Sequence, residues 1–219
     1  KAHSVDAKLI YFANPDNPMG THLPGDKIVE ALKDLPEGCL FILDEAYSEF
    51  APAASLPSLE ITDKRVVRLR TFSKAYGMAG ARVGYAMAEE NLIKSFEKIR
   101  NHFGMSRLAQ KAAFEALSDN QWLFEMIQKV ENGRQRIYKI AASNNLKPIT
   151  SSTNFVAIDC GKDGDYARKV LTELISLGIF VRMPFVSPQD RCIRISVGKK
   201  RDLDSFEKAL PIALERASK

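Results

Sequence analysis

The chain has 219 residues, of which 45% are hydrophobic and 27% are charged, and its formal net charge at pH 7 is +5. This length and apolar content predict one substantial core with a smaller second lobe. Acidic and basic residues are interspersed and no long Lys/Arg run occurs, which argues against nucleic-acid binding and fits an anionic cofactor or substrate. No apolar run approaches a membrane span, so we expect neither a membrane segment nor a signal peptide.

The cysteines and histidines exclude two further classes of protein. Cys39, Cys160 and Cys192 are odd in number and widely separated, and the three histidines are scattered. No Cys/His spacing typical of a metal site is present, and a disulfide framework is not expected. This cysteine usage predicts a reducing, cytoplasmic environment.

Strands and helices alternate along the first 90 residues. Strands are predicted at residues 9–13, 39–43, 66–69 and 82–87. The second run is apolar on both faces, which is typical of a buried parallel strand. Apolar residues from Ile28 to Leu35 have helical spacing. The pattern predicts an α/β fold, a three-layer architecture around a mostly parallel sheet.

The pattern changes after this sheet. Helical spacing continues through residues 92–99 and 122–140, with a polar interruption at 132–133. A small unit follows, with strands predicted at 154–158, 179–183 and 192–197 and helices at 166–177 and 203–217, the last kinked or split by Pro211. We therefore predict a large domain over residues 1–140 and a small α+β C-terminal domain over 141–219.

Asp44 follows a buried strand, at the edge where open α/β sheets bind ligands. A carboxylate there can favour a protonated pyridine ring, because an opposite charge stabilises the cation. Tyr47 can donate to a phenolate oxygen if a helical turn begins near it. Taken alone, Asp44 also fits a helix N-cap and Tyr47 a packing residue.

Residues 14–20 read Asn-Pro-Asp-Asn-Pro-Met-Gly, which predicts a stiff loop. The prolines fix backbone torsions, and Gly20 permits a conformation that other residues resist. Such a loop can hold the amide of Asn17 in one place, where it can donate to a ring oxygen. A single Asn-Pro pair would indicate only a turn.

Lys74 is the residue around which a cofactor site can assemble, because its amine can form a Schiff base with an aldehyde. Thr71 and Ser73 supply hydroxyls and Arg82 a guanidinium fork, all suited to phosphate oxygens. A solvated lysine and an ion-paired arginine are the structural alternatives. Arg194, between two β-branched residues of the last strand, suits a bidentate clamp for a carboxylate, although strand arginines are often merely solvated.

The order of these motifs resembles a known family. The motifs are N-P-D-N-P-M-G at 14–20, D-E-A-Y at 44–47, T-F-S-K at 71–74, R-V-G-Y at 82–85 and R-I-S-V-G at 194–198. Together they resemble the class I/II aminotransferases, which are fold type I pyridoxal phosphate enzymes, and look most like the histidinol-phosphate aminotransferase branch. The match runs along essentially the whole chain.

The resemblance implies a role for each candidate residue. Lys74 forms the internal aldimine and shuttles the proton, Asp44 pairs with the pyridinium nitrogen, and Arg194 binds the substrate α-carboxylate. Two side chains hydrogen-bond the ring hydroxyl oxygen: Asn17 and Tyr47. Three side chains bind the phosphate of pyridoxal 5'-phosphate: Thr71, Ser73 and Arg82.

The resemblance also implies an activity and an assembly. We expect transamination between an amino acid or amino-phosphate and a 2-oxo acid, in a cytoplasmic homodimer. An amino-acid phosphate decarboxylase of similar fold would use the same site and release CO2, and an inactive dimerisation or binding module is a third alternative. Family members are longer, and the resemblance implies that their additional part carries further strands, a glycine-rich phosphate turn and a ring-stacking aromatic. This part either lies upstream of Lys1 or is absent from the protein.

Overall fold

A computed structural model describes all residues, Lys1–Lys219. The chain divides into two compact units. The first comprises Lys1–Pro15 and His22–Ile127, and the second comprises Asp16–Thr21 and Gln128–Lys219. The boundary expected at 140/141 stays a prediction. Every helix is too short or too polar to cross a membrane.

The first unit is built on a four-stranded sheet in the order β1-β2-β3-β4. Its strands are β1 (Leu9–Ala13), β2 (Leu40–Asp44), β3 (Val66–Thr71) and β4 (Gly84–Met87). The pairs β1/β2 and β2/β3 are parallel, whereas β3/β4 is antiparallel. The predicted mostly parallel α/β sheet is confirmed.

Three helices accompany this sheet: α1 (Gly25–Leu32), α2 (Glu90–Phe96) and α3 (Arg107–Ser118). Ile28 and Leu32 of α1 pack in one buried cluster with Phe41 and Leu43 of β2. This packing explains the apolar spacing of α1, since residues four apart lie on one face of a helix. The side chain of Ser106 caps α3 by accepting from the amide of Ala109 at 3.1 Å.

Helix α4 (Asn120–Ser143) is continuous over 24 residues, so the predicted long helix is confirmed, and the polar interruption at 132–133 does not break it. Glycine usually weakens a helix. Here the side chain of Val197 occupies the space beside Gly133, and a Cβ on Gly133 would clash with Val197 Cγ1. The glycine therefore permits close packing rather than ending the helix.

The second unit is an antiparallel sheet with helices, in the order β5-β6-β7. Its strands are β5 (Lys147–Pro148), β6 (Phe155–Asp159) and β7 (Cys192–Ser196), and its own helices are α5 (Gly164–Ser176) and α6 (Lys200–Ala217). Helix α6 contains Pro211 and is not split by it. The core of this unit includes six fully buried residues: Ile137, Ile158, Val170, Leu174, Ile193 and Leu210.

The strand predicted at 179–183 is wrong. This segment pairs with β7 only through the single bridge between Arg182 and Arg194. Pro184 follows directly and has no amide hydrogen to continue a ladder, which limits pairing to this one position.

Candidate active site

Five of the predicted site residues line one open cavity of about 630 Å³ in the first unit. They are Asp44, Thr71, Ser73, Lys74 and Arg82. Asp44 ends β2 and Thr71 ends β3, and the other three follow β3 in the chain. The carboxyl ends of these two parallel strands thus present a carboxylate, hydroxyls, an amine and a guanidinium to one space, as expected for open α/β sheets.

Asp44 is held by two hydrogen bonds. Its Oδ1 accepts from the amide of Ala46 at 2.9 Å, and its Oδ2 accepts from the hydroxyl of Tyr11 on β1. Partial burial, followed by the hydrogen bond to Asp44 and the negative charge of Asp44, raises the pKa of Tyr11 to about 12. Asp44 is therefore an oriented acceptor. The sequence does not reveal this contact of Tyr11 with Asp44, because Tyr11 is there one residue of an apolar strand.

Lys74 lies beside Tyr47, which is buried. The Nζ atom of Lys74 is 5.3 Å from the centroid of the Tyr47 ring, within the range of a cation–π contact. Tyr47 immediately precedes a short 3-10 turn, Ser48–Phe50, which agrees with the expected helical turn. The aromatic face helps to place the lysine amine, so D-E-A-Y and T-F-S-K meet in space.

The hydroxyl and guanidinium groups near Lys74 are arranged by the backbone. Thr71 Oγ1 accepts from the amide of Ser73 at 3.1 Å. Arg82 has φ 56°, a left-handed conformation that is uncommon for arginine. One of its N–H groups donates to the carbonyl of Ala79 at 2.9 Å, which leaves other donors of the guanidinium for a ligand. Such strain is often found at functional sites.

A buried carboxylate lies next to this cavity and was not predicted as functional. The side chain of Glu45 is 0% exposed and is paired with two arginines of β3. Arg68 donates to it at 3.0 and 2.6 Å, and Arg70 at 3.0 Å. Arg70 also lines the cavity. Two arginines two residues apart in an otherwise apolar strand are the signal that could have revealed this network, because they lie on one face.

The other two predicted residues belong to the second unit, where the structure brings them together. Arg194 Nη1 donates to Asn17 Oδ1 at 2.5 Å. The Arg194 guanidinium also lies 4.6 Å from the centroid of the Phe155 ring. Asn17 is exposed, in the segment 16–21 that we call the Asn17 loop. A flat guanidinium held by an amide and an aromatic ring is a ready binding group for a carboxylate.

The first Asn-Pro pair has a structural role. Asn14 is buried, and its Oδ1 accepts from the amide of Leu23 at 2.8 Å. Its Nδ2 donates to the carbonyls of Leu23 and Ser55 at 3.1 and 3.0 Å. The two asparagines of one motif therefore serve different purposes.

Comparison with known proteins identifies the family. The model of the family "Aminotransferase class I and II" matches residues 1–210. The chain belongs to the class I and II aminotransferases. The resemblance drawn from the ordered motifs is thus confirmed, and with it the α/β fold class.

Relatives within the class I and II aminotransferases carry a common name. Histidinol-phosphate aminotransferase from Bacillus licheniformis is 36% identical over 213 residues, which cover 96% of this chain and 58% of that protein. The crystal structure of histidinol-phosphate aminotransferase from Sinorhizobium meliloti in complex with pyridoxal-5'-phosphate matches with a TM-score of 0.96 and 50% identity. That match covers 98% of this chain and 59% of the Sinorhizobium chain. This chain spans a little under three fifths of the length of both relatives.

A decarboxylase shares the fold of these aminotransferases. The crystal structure of L-threonine-O-3-phosphate decarboxylase from Porphyromonas gingivalis matches with a TM-score of 0.76 and 23% identity, covering 95% of this chain and 65% of that one. At this identity the likeness extends to the fold alone. Fold by itself therefore does not select between transamination and decarboxylation.

Proposed function

We propose that this chain is part of a pyridoxal 5'-phosphate-dependent aminotransferase. The observation that carries the proposal is the single cavity lined by Lys74, Asp44, Thr71, Ser73 and Arg82. Its donor set fits this cofactor, since it combines a primary amine for an aldehyde, a carboxylate for a pyridinium nitrogen and a cation with two hydroxyls for a phosphate. The cofactor complex of the Sinorhizobium relative supports the same assignment.

The cofactor, when bound, supplies an aldehyde that captures amines and a ring that accepts the electron pair released at the α-carbon. Asp44 favours the protonated ring nitrogen, because its carboxylate is kept oriented by Tyr11 and the Ala46 amide. Arg82, Thr71 and Ser73 hold the phosphate through charge-assisted and hydroxyl hydrogen bonds.

Lys74 has two duties in the proposed reaction. Its Nζ anchors the resting cofactor and afterwards acts as a general base, taking the proton from the α-carbon of the amino donor and holding it until it is returned. The Tyr47 ring beside Nζ limits where the amine can move. Tyr47 and Asn17 are assigned as the partners of the ring hydroxyl oxygen.

Arg194 is assigned to the α-carboxylate of the amino acid or 2-oxo acid, and its fork geometry supports this assignment. The names of the relatives point to histidinol phosphate as an amino donor. A guanidinium binds phosphate as well as carboxylate oxygens, so a phosphate-bearing amine is compatible with the same arginine. The predicted homodimer and cytoplasmic location stay part of this proposal, with the three free, buried cysteines supporting a reducing compartment.

The test begins with binding. We expect added pyridoxal phosphate to give a visible absorbance band, and borohydride to fix the cofactor on a peptide containing Lys74. Lys74→Ala should lose the band, whereas Lys129→Ala should keep it. A band that persists in Lys74→Ala would overturn the assignment.

Product analysis then separates the alternatives. With histidinol phosphate and 2-oxoglutarate, a transaminase produces glutamate in amounts equal to the donor consumed. Release of CO2 from an amino-acid phosphate would instead favour the decarboxylase. A folded protein that binds no cofactor would favour the binding module.

A further inference from the structure

The glycine end of the Asn17 loop rests on the segment Ser151-Ser152-Thr153. Gly20 has φ +81°, and a methyl group there would lie 2.5 Å from Ser151 Oγ and 3.3 Å from Thr153 Oγ1. The amide of Ser152 donates to the carbonyl of Gly20 at 2.7 Å. Only glycine fits this contact, for reasons of both backbone conformation and space.

The surface under Gly20 is itself tightly bonded. The hydroxyls of Ser151 and Thr153, which we call the hydroxyl pair, lie 3.0 Å apart and are buried. Both donate to the carbonyl of Phe155, at 2.5 and 3.1 Å. Each hydroxyl also accepts a hydrogen bond from a backbone amide. Ser151 Oγ accepts from the amide of Thr153, and Thr153 Oγ1 accepts from the amide of Phe155. A network of this kind resists displacement, because any movement leaves buried polar groups unpaired.

Helix α4 fixes the same segment from the other side. Arg134 is buried, and its Nη1 donates to the carbonyls of Ser151 at 2.8 Å and Thr153 at 3.2 Å. Its Nη2 is paired with Glu131. The hydroxyl of Tyr138, one turn further along α4, accepts from the amide of Ser151 at 2.8 Å. Burying a guanidinium costs free energy that only such a set of partners offsets.

Hydrogen bonds within the Asn17 loop couple the position of Gly20 to that of Asn17. The amide of Asp16 donates to the carbonyl of Thr21 at 2.7 Å, and the amide of Gly20 donates to the carbonyl of Asp16 at 3.1 Å. The amide of Met19 donates to Asp16 Oδ2 at 3.1 Å. A shift at Gly20 therefore moves the backbone that carries Asn17.

We propose that Arg134 and the hydroxyl pair are positioning residues for Asn17. They act through Gly20. They determine the position of the Asn17 amide relative to Arg194 and to the cofactor ring oxygen assigned to it. The inference rests on the proposed function for the identity of that ring oxygen. Arg134, Ser151 and Thr153 touch neither cofactor nor substrate in this assignment.

The test compares two glycines with matched backbones in the cofactor-loaded protein. Gly20 has φ +81° and Gly178 has φ +80°, but no atom lies within 4 Å of a methyl group on Gly178. Gly20→Ala and Gly178→Ala therefore share the strain of a positive φ and differ in the clash with the hydroxyl pair. The measured quantity is the apparent pKa of the lysine-bound cofactor, obtained from the pH dependence of its visible absorbance band.

We expect Gly20→Ala to raise the apparent pKa of that band by roughly half a unit to one unit, because a weakened donor makes the ring oxygen more basic. Gly178→Ala should leave it unchanged. Arg134→Lys has one nitrogen in place of the two that bind the Ser151 and Thr153 carbonyls and Glu131, so it should raise the same pKa. Arg136→Lys, two residues along α4, should leave that pKa unchanged. Equal pKa values in all four variants would overturn the proposal.

Hydrogen–deuterium exchange of the protein without cofactor gives a readout independent of the proposed function. Peptides covering residues 16–21 and 150–154 should exchange faster in Gly20→Ala and Arg134→Lys, and at the original rate in Gly178→Ala and Arg136→Lys. If the unaltered protein binds no cofactor, the proposed function fails. In that case unchanged exchange would refute the positioning role, and faster exchange would support its structural part.

Discussion

Arg194 Nη1 donates to Asn17 Oδ1 across 2.5 Å, although 177 residues separate the two in the chain. With its oxygen engaged by the guanidinium, the amide of Asn17 must direct its NH2 group elsewhere. One arginine thus fixes the orientation of an amide. The arginine that we assign to the carboxylate and the amide that we assign to the ring oxygen are therefore bonded directly to each other.

Arg194→Lys should weaken the use of carboxylate substrates, because lysine cannot keep the amide contact and a bidentate clamp together. Losing one charged hydrogen bond predicts a fall in kcat/KM of about 10- to 100-fold, mainly through KM. Steady-state kinetics with a 2-oxo acid as the varied substrate measures this. Arg216→Lys, an exposed arginine 3.5 Å from Glu173, is the matched control and should retain full efficiency. An unchanged KM in Arg194→Lys would contradict the carboxylate assignment.

Tyr11 should titrate late among the six tyrosines. Partial burial and the neighbouring Asp44 raise its pKa to about 12. The folded state therefore keeps this proton while the unfolded chain loses it near pH 10. The contribution of Tyr11 to stability is complete below pH 10 and declines as pH rises towards 12. In a tyrosinate absorbance titration, Tyr11→Phe should remove a component near 12. Loss of a component near 10 instead would show that the contact with Asp44 is absent.

Glu45→Gln should destabilise the first unit, because it leaves the guanidinium groups of Arg68 and Arg70 without their carboxylate. Both arginine side chains are partly exposed, at 19% and 23%, which reduces the penalty. We expect a loss of about 3 kcal/mol, the low end for breaking a buried ion pair. Urea denaturation measures it. Glu30→Gln, which breaks an exposed pair with Lys27, should change the midpoint little. Equal urea midpoints for Glu45→Gln and the unaltered protein would mean that the Glu45 ion pairs do not contribute to stability.

The cysteines should be unreactive in the native protein. Burial raises the pKa of Cys160 to about 12 and that of Cys192 to about 11, and Cys39 is also buried. Since only the thiolate reacts, a disulfide reagent at pH 8 should label almost nothing within minutes. In denaturant the same reagent should count three thiols. Rapid labelling of a native cysteine would show that the segment around it opens easily.

The sequence predicted the strands of the first unit well, because each is a short apolar run bounded by turn residues. Asp44 was recognisable as a polar residue at the end of such a run, and Lys74 through its hydroxyl neighbours. Five site residues accordingly line one cavity, as expected from the rule that ligands bind at carboxyl ends of parallel strands. Local pattern and sheet topology were sufficient for this part.

Features that depend on distant partners escaped prediction. Glu45 reads as an acidic neighbour of Asp44, and only the fold shows that two arginines of β3 neutralise it. Gly133 reads only as part of a polar interruption in a long helix until Val197 is seen packed against it. Residues 179–183 have the composition of a strand, but pairing requires a neighbour with amides in register. Such features lie in tertiary contacts and leave no local signature.

Neither unit is a contiguous stretch of sequence, because the Asn17 loop belongs to the second unit and both its neighbours belong to the first. During synthesis, Thr21 emerges 107 residues (128 − 21) before Gln128, the next residue of its own unit. At about 5–20 residues per second, the ribosome takes roughly 5–20 s to make that interval. The loop that carries Asn17 must therefore wait for its own partners while the first unit is still being translated around it.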